Sequence, residues 1–312
     1  MKKQLLELLI CPHCLPGEFP LTADILTESN GDIESGSLTC PACMSSFPII
    51  DGIANLDPMY EPAVASVNKY ETDTVVASYL WSQFSELAGD EQSSQAYSTW
   101  AAMIEPHDGI ALDAGGAVGR FSFEMSDRCD FAIGFDNSVA FIRAARNLMK
   151  ERRVTVGIKN EGFSTKDFSL DLPEHFKSDK VEFIVANALA LPFRESAIGS
   201  FASLNLADKV PSPMKHLQEM NRVTRKSNAQ FVLSDPFSWS EEAAPVDEWL
   251  GGQPDGPYSG RGIDTISRLL QGGEKGMQPV WQVSEADSVW WKIRTHTNHY
   301  ELIQSCFVYA QR

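Results

Sequence analysis

Ile110-Ala-Leu-Asp-Ala-Gly-Gly-Ala-Val-Gly-Arg-Phe-Ser-Phe123 is the stretch from which the rest of the chain is read. A short apolar run ends in Asp113, a small-residue loop follows (Gly115, Gly116, Ala117, Gly119), and Phe121, Phe123 and Met125 then take helical spacing. The order is strand, tight turn, helix. Glycines in such a turn let the backbone approach a ligand and leave amide N–H groups free at the helix start. A second apolar run, Phe131-Ala-Ile-Gly-Phe-Asp136, again ends in a carboxylate. An acid at the tip of the second strand is placed to accept hydrogen bonds from ribose hydroxyls.

The pattern continues on both sides. Residues 138–150 read as a helix, 181–186 as a strand leading into Asn187 and Ala188, and 199–206 as a fourth strand. Residues 213–224 form a helix with Leu217, Met220 and Val223 inward, and 229–234 a fifth strand. Strands alternating with helices predict an α/β domain with a parallel, doubly wound sheet that binds ligands at the strands' carboxyl ends. Residues 154–180 read as a polar insertion. Upstream, Pro58 and Pro62 open a linker, after which Tyr79, Leu80, Phe84 and Leu87 and then residues 96–104 show helical spacing. Such helices read most simply as packing on the sheet.

Cys11-Pro-His-Cys14 and Cys40-Pro-Ala-Cys43 are two C-x-x-C knuckles. Each turn presents two thiolates, and a metal can join segments too small to build a core of their own. The expectation is one structural, four-cysteine zinc site, with His13 exposed between two ligands. A redox-active pair is the alternative, but neither knuckle opens a helix within a thioredoxin-like pattern. Cys129 and Cys306 read as small core residues.

The bulk numbers narrow the partners. A chain of 312 residues suffices for one large domain and a small one. The net charge of −16, from 42 acids against 26 bases, argues against nucleic acid, where phosphate neutralisation supplies most of the affinity. The first 57 residues alone hold two lysines against eight acids. No apolar run is long enough to span a membrane and the start does not read as a signal peptide, so the expected location is cytoplasmic.

Asp113-x-Gly115-x-Ala117-x-Gly119, with Asp136 after it, resembles the first motif of class I S-adenosylmethionine (SAM) methyltransferases, with Ala117 where that family usually has glycine. The resemblance implies a seven-stranded Rossmann-like sheet and SAM as cofactor. It places Asp113, Gly115, Gly116 and Gly119 around the methionine, Asp136 and Asn137 at the ribose, Asn187 and Ala188 at the adenine, and Asn205 at the fourth strand's exit. Asn187 stands where the family usually has aspartate. The resemblance also implies that the helices ahead of Ile110 cover the site, with Tyr79, Trp81 and Phe84 as candidates to line a substrate pocket. Residues 1–57 resemble the small zinc-ribbon activator subunit that partners tRNA, rRNA and release-factor methyltransferases. Residues 75–312, chiefly Asn205-Leu-x-Asp208-Lys209, Ser234–Glu242 and Glu248-Trp-Leu-Gly-Gly252, resemble 4-mercaptohistidine N-methyltransferases of ovothiol-type metabolism. Asp235, Asn187 and the 154–180 segment depart from that family. The resemblance implies a small polar acceptor contacted by Lys209, Trp239, Glu241, Trp249 and Tyr79, with Asp208 as its proton acceptor or orienter. Two other readings stay open: a methyltransferase of RNA or a translation protein with a built-in activator, and an inactive scaffold that recruits a partner. The expected division is a zinc ribbon at 1–57, linker and helices at 58–108, and the methyltransferase domain at 109–312. The expected partner is a small-molecule substrate, without nucleic acid or membrane, and the oligomeric state is left open.

Overall fold

The computed structural model describes residues 1–65 and 68–312. The first module is an antiparallel sheet in sequence order, β1 (Thr22–Ser29), β2 (Asp32–Thr39), β3 (Ser46–Ile50) and β4 (Ile53–Ala54). Helices α1 (Pro62–Ala65), α2 (Asp73–Phe84) and α3 (Ala96–Ala102) lead to β5 (Ile110–Ala114), α4 (Arg120–Met125), β6 (Phe131–Asp136) and α5 (Val139–Glu151). Then follow β7 (Arg153–Lys159), β8 (Thr165–Asp171), β9 (Val181–Val185), β10 (Ile198–Leu204), α6 (Pro213–Val223) and β11 (Gln230–Asp235). Helix α7 (Gly262–Leu270) and strands β12 (Gln282–Val283), β13 (Asp287–His296) and β14 (His299–Gln311) close the chain.

The main sheet runs β12-β14-β11-β10-β5-β6-β9, with β13 paired to β14. Pairings from β9 through β11 are parallel, and β14 is antiparallel to its neighbours. The two-residue β12 makes eight strands where seven were expected. Strands β9, β10 and β11 are buried along their whole length, as a parallel sheet covered on both faces requires.

Residues 154–180 are not an unstructured insertion. Val154, Val156 and Ile158 alternate with polar neighbours, as do Phe168 and Leu170, and the period of two pairs β7 with β8 as a separate hairpin. The candidate lining residues also move: Trp81 and Phe84 are fully buried in the core on one face of the sheet. Phe84 meets Phe123 of α4 edge-on, and Trp81 lies against Tyr300 of β14 and donates its indole N–H to Asp90 at 2.8 Å, so both are core and not pocket lining.

The opposite face holds the more informative arrangement. No helix lies between β9 and β10. The apolar residues of the first module (Leu5, Leu9, Phe47, Ile49, Leu56) join one continuous core with Ile133, Ile184 and Phe193 of the sheet domain and with α6 and α7. Backbone bonds complete the junction: Asn55 bridges Val185 in parallel, the Leu56 N–H donates to the Val185 carbonyl at 2.7 Å, and the Ile10 N–H to Pro192 at 3.0 Å. The ribbon therefore covers the edge strand β9 and the sheet surface that a crossover helix would otherwise shield. Buried Glu182 of β9 is paired with Arg146 of α5, which also reaches Asp32 of the ribbon at 3.4 Å.

Candidate functional site

The four knuckle thiols converge. Cys11, Cys14, Cys40 and Cys43 place their sulfurs within 4.8 Å of one another, with Cys11–Cys43 at 3.6 Å and Cys14–Cys40 at 3.8 Å. Zinc–sulfur bonds of about 2.3 Å in a tetrahedron need sulfur separations of about 3.8 Å, so the cluster fits the metal. His13 is outside it: Nε2 lies 3.1 Å from the Pro58 carbonyl. Four protein ligands leave no open position, which makes this zinc structural.

At the carboxyl ends of β5 and β6 the glycine loop folds tightly on itself. Gly115 and Gly119 take φ of +66° and +93°, and a Cβ on Gly119 would strike the Phe183 ring. Ala117 holds φ +47° without being glycine, a left-handed conformation disfavoured for a side chain. Asp113 lies beneath the loop: Oδ2 accepts the Ser122 hydroxyl at 2.8 Å and would meet a Cβ on Gly116 at 2.6 Å. Burial pushes the Asp113 carboxyl up to about 7, against the pull of Ser122. Asp136 accepts from the Ala117 N–H (3.1 Å) and the Ser138 N–H (2.9 Å), tying loop to strand tip. Burial raises it to about 6, with these N–H groups pulling the other way. Asn137 beside it is exposed.

Two residues that sequence reasoning missed hold this corner. Gln83 of α2 donates to the Gly116 carbonyl (3.3 Å) and accepts from the Arg120 N–H (3.1 Å). Glu71 accepts from the first N–H groups of α5, Val139 at 2.8 Å and Ala140 at 3.0 Å, where a carboxylate also meets the helix dipole favourably. Neither stands in a motif, so no local signal marks them. Tyr79 sits on this side too, its ring 4.8 Å from Phe141 and 6.1 Å from Trp291, away from Trp239 and Trp249.

At the tip of β9, Asn187 accepts from the Leu189 N–H and donates to Asp57 of the ribbon's end at 3.0 Å. Ala188 is buried behind it. Asn205 has φ +56° and accepts the Ser305 hydroxyl of β14 at 2.7 Å, and the next residue, Leu206, packs over Gly115.

The exits of β10 and β11 meet in a second polar cluster. Asp208 is buried; Oδ2 accepts from Lys209 Nζ (3.0 Å) and the Ser238 N–H (2.8 Å). Asp235, fully buried, accepts from the Asp208 N–H (3.2 Å) and the Phe237 N–H (2.7 Å). Burial, and then the Asp208 charge, hold the Asp235 carboxyl well above the ordinary range. Trp239 follows, stacked on Trp249 at 6.2 Å and 14°. Asp208, Lys209, Trp239 and Trp249 are thus neighbours, while Glu241 is exposed on the next turn.

Residues 107–253 match the methyltransferase domain family, and residues 2–52 match the Trm112p-like protein family. The first match, with the loop and acid-tipped strands, defines the class: a SAM-dependent methyltransferase with a Rossmann-like sheet. The second completes it: the chain joins that domain to a Trm112-like region with a structural zinc site. No curated protein matches. Among solved structures, the complex of the Haloferax volcanii Trm112 methyltransferase activator with a methyltransferase is 14% identical, covering 80% of this chain and 96% of that one at TM-score 0.43. A protein that converts a disulfide bond into a thioacetal group in echinomycin biosynthesis is 18% identical over 70% of this chain and 81% of its own, at TM-score 0.45. The YcgJ protein of Bacillus subtilis is 11% identical over 69% and 97%, at TM-score 0.43. The class rests on the two matched families and the geometry, not on these overlaps. No helix among the described residues is long and apolar enough to cross a membrane.

Proposed function

We propose that this protein transfers the methyl group of SAM to a small polar metabolite, an imidazole or thiol-histidine compound, in the cytoplasm. The observation that carries the reading is the acceptor mouth: a buried carboxylate, Asp208, beside a stacked tryptophan pair, at the strand exits next to the glycine loop. Polar and aromatic groups of this kind suit a small polar acceptor, and the net charge of −16 disfavours a polyanion. SAM supplies an electrophilic methyl group. The chain's part is to hold the two reactants in line, exclude water and take up a proton.

In this reading the amides around Gly115, Gly116 and Gly119 flank the methionine, over the platform that Asp113 supports. Asp136 accepts the ribose hydroxyls with Asn137 beside it. Asn187 and Ala188 meet the adenine, and Asn205 sets the Leu206 turn that borders the methionine. Asp208 orients the acceptor or takes its proton, with Lys209, Trp239 and Trp249 around it and Glu241 at the rim. Tyr79 belongs to the cofactor side. The boundaries 1–57, 58–108 and 109–312 belong to the same proposal.

A second reading is favoured by one observation, the Trm112-like region docked on β9. In the Haloferax volcanii complex the separate Trm112 protein is a methyltransferase activator. A built-in activator would suit an RNA or translation-protein acceptor. The deciding assay offers radiolabelled SAM to small-molecule extract, total RNA and total protein in parallel. Label in the small-molecule fraction supports the first reading, and label confined to RNA or protein replaces it with the second.

A further inference from the structure

Where the ribbon meets α5 there is a cavity of about 230 Å³, lined by Arg143, Arg146, Asn147 and Lys150 of α5 and by Asp51 and Ile53 of the ribbon. The four α5 positions fall at i, i+3, i+4 and i+7, on one face of the helix. Asp51 and Gly52 join β3 to β4 with φ of +52° and +76°, both positive, as in a type I′ hairpin turn. The turn is pressed against the helix: a Cβ on Gly52 would stand 2.7 Å from Arg146 Nη2. A hairpin turn and a helix face therefore set the two walls.

Three carboxylates fasten this junction. Glu182 holds Arg146 Nη1, Asp32 holds Nη2 at 3.4 Å, and Glu34 accepts from Lys150 Nζ at 2.9 Å. Arg146 Nε is left over: it is buried without a hydrogen-bond partner, on a side chain 2% exposed. Arg143 and Asn147, exposed on the same face, make no ion pair or side-chain hydrogen bond among the described residues, and Asp51 across the cavity makes none either. A buried donor without an acceptor destabilises a fold, and an acceptor brought by a ligand explains its retention. The walls select that ligand. The helix side presents donors (two guanidinium groups, an amide and an ammonium), and the ribbon side presents a carboxylate that accepts. A phosphate monoester meets both: its oxygens suit the fork of a guanidinium, and a hydroxyl on its carbon skeleton donates to Asp51. The volume lies below the roughly 300–1,000 Å³ of drug-sized sites, and the net charge of −16 disfavours a chain of phosphates, so one small phosphate is the fit.

We propose that this cavity binds a small hydroxylated phosphate monoester, a sugar phosphate, and that the bound molecule fastens the ribbon to α5. The phosphate oxygens accept from Arg143, Arg146 Nε and Lys150, and Asp51 accepts the hydroxyl. The site uses none of the groups assigned to SAM or to the methyl acceptor, so it stands whichever acceptor is methylated. A ligand bonded to both walls binds the chain with its ribbon docked and not the chain with its ribbon detached. Binding therefore shifts the chain toward the docked state by mass action.

The test uses the full zinc-loaded chain with saturating S-adenosylhomocysteine, which keeps the probes out of the cofactor site. Ribose 5-phosphate, inorganic phosphate and ribose are titrated by calorimetry, and amide exchange of the Leu56 N–H, which bonds to Val185 of β9, reads ribbon docking. Ribose 5-phosphate should bind with Kd below about 1 mM, raise Tm and slow exchange at Leu56. Inorganic phosphate should bind at least about tenfold more weakly, for want of the bond to Asp51, and ribose should not bind. Arg143→Gln alters an exposed, unpaired side chain and should weaken ribose 5-phosphate at least about tenfold. Asp51→Gly keeps a residue suited to positive φ and should bind ribose 5-phosphate and inorganic phosphate equally. No binding of either phosphate up to about 10 mM, or unchanged affinity in Arg143→Gln, overturns the site. Equal binding of the two phosphates by the wild-type chain overturns the monoester assignment, and tighter binding of a short RNA oligonucleotide replaces it with a nucleic-acid contact. Unchanged Leu56 exchange with the ligand bound overturns the fastening. The probe comparisons need no variant, so poor folding of a mutant leaves them decisive.

Discussion

The ribbon and the methyltransferase domain solve the same problem with different means. The sheet domain buries its strands by packing, under helices on most of both faces and under the ribbon beside β9. The ribbon has about fifty residues, a four-stranded sheet with much of its surface exposed, and four thiols clustered at one end. By itself it has too little core. Yet its apolar face is continuous with the sheet's own core, so the metal-held part completes the burial-held part. The comparison teaches that the zinc, through the ribbon it holds together, supports the sheet on which the ribbon packs.

The largest expected effect tests that dependence. Cys40→Ser should lose the zinc, and since structural zinc supplies about 10–16 kcal/mol of folding free energy in small modules, the ribbon should unfold. The whole chain should then melt lower by calorimetry, and metal analysis should show less than one zinc per chain. A ribbon-only transition, with the sheet domain's melting unchanged, would break the comparison. Next comes the charge pair at the junction. Arg146→Ala leaves Glu182 buried without its ion partner and should destabilise by about 3–5 kcal/mol in urea titrations. The third effect is confined to the sheet domain: Asp136→Ala should weaken SAM binding at least about tenfold by calorimetry, from lost charge-assisted bonds of about 1.5–3 kcal/mol each. It should leave zinc content untouched.

The smallest effect concerns pH. Burial raises Asp113 to about 7 in the folded chain, against an ordinary value of 3.8. The folded state therefore holds this proton more tightly than the unfolded one between about pH 4 and pH 7. Stability from Asp113 is fully present below that window and is lost as pH rises through it. Asp113→Asn, which still accepts from Ser122, should gain on wild type as pH rises from 5 to 8. Urea midpoints at the two values, measured without SAM, check the sign. A constant difference would mean that Asp113 ionises freely beneath the loop.

What the sequence disclosed follows from range. The glycine loop, Asp136 and the two knuckles are local patterns, in which neighbouring residues dictate one another's conformation. The β7–β8 hairpin was equally local but hidden, because its outward faces are polar and its alternation is short. Gln83 contacts a loop more than thirty residues away, and Asp57 reaches Asn187 across 130 positions. Such pairings depend on how the sheet closes and leave no periodic trace. Asp235 looked like a departure from a family pattern, and its pairing with Asp208 came into view only when β10 and β11 lay side by side. Trp81 and Phe84 show the reverse: aromatic residues at helical spacing were core.

A domain without a helix between β9 and β10 has a gap that other polypeptide must fill. Were the filler a separate chain, occupancy would follow the abundance of both partners. Here the ribbon's end pairs with β9 and the same chain continues into α2, so the filler is supplied at an effective concentration on the order of millimolar. A contact with a dissociation constant of only about 10 µM would then be closed about 99% of the time. Synthesis fixes the ratio at one to one, and dilution cannot strip the ribbon away.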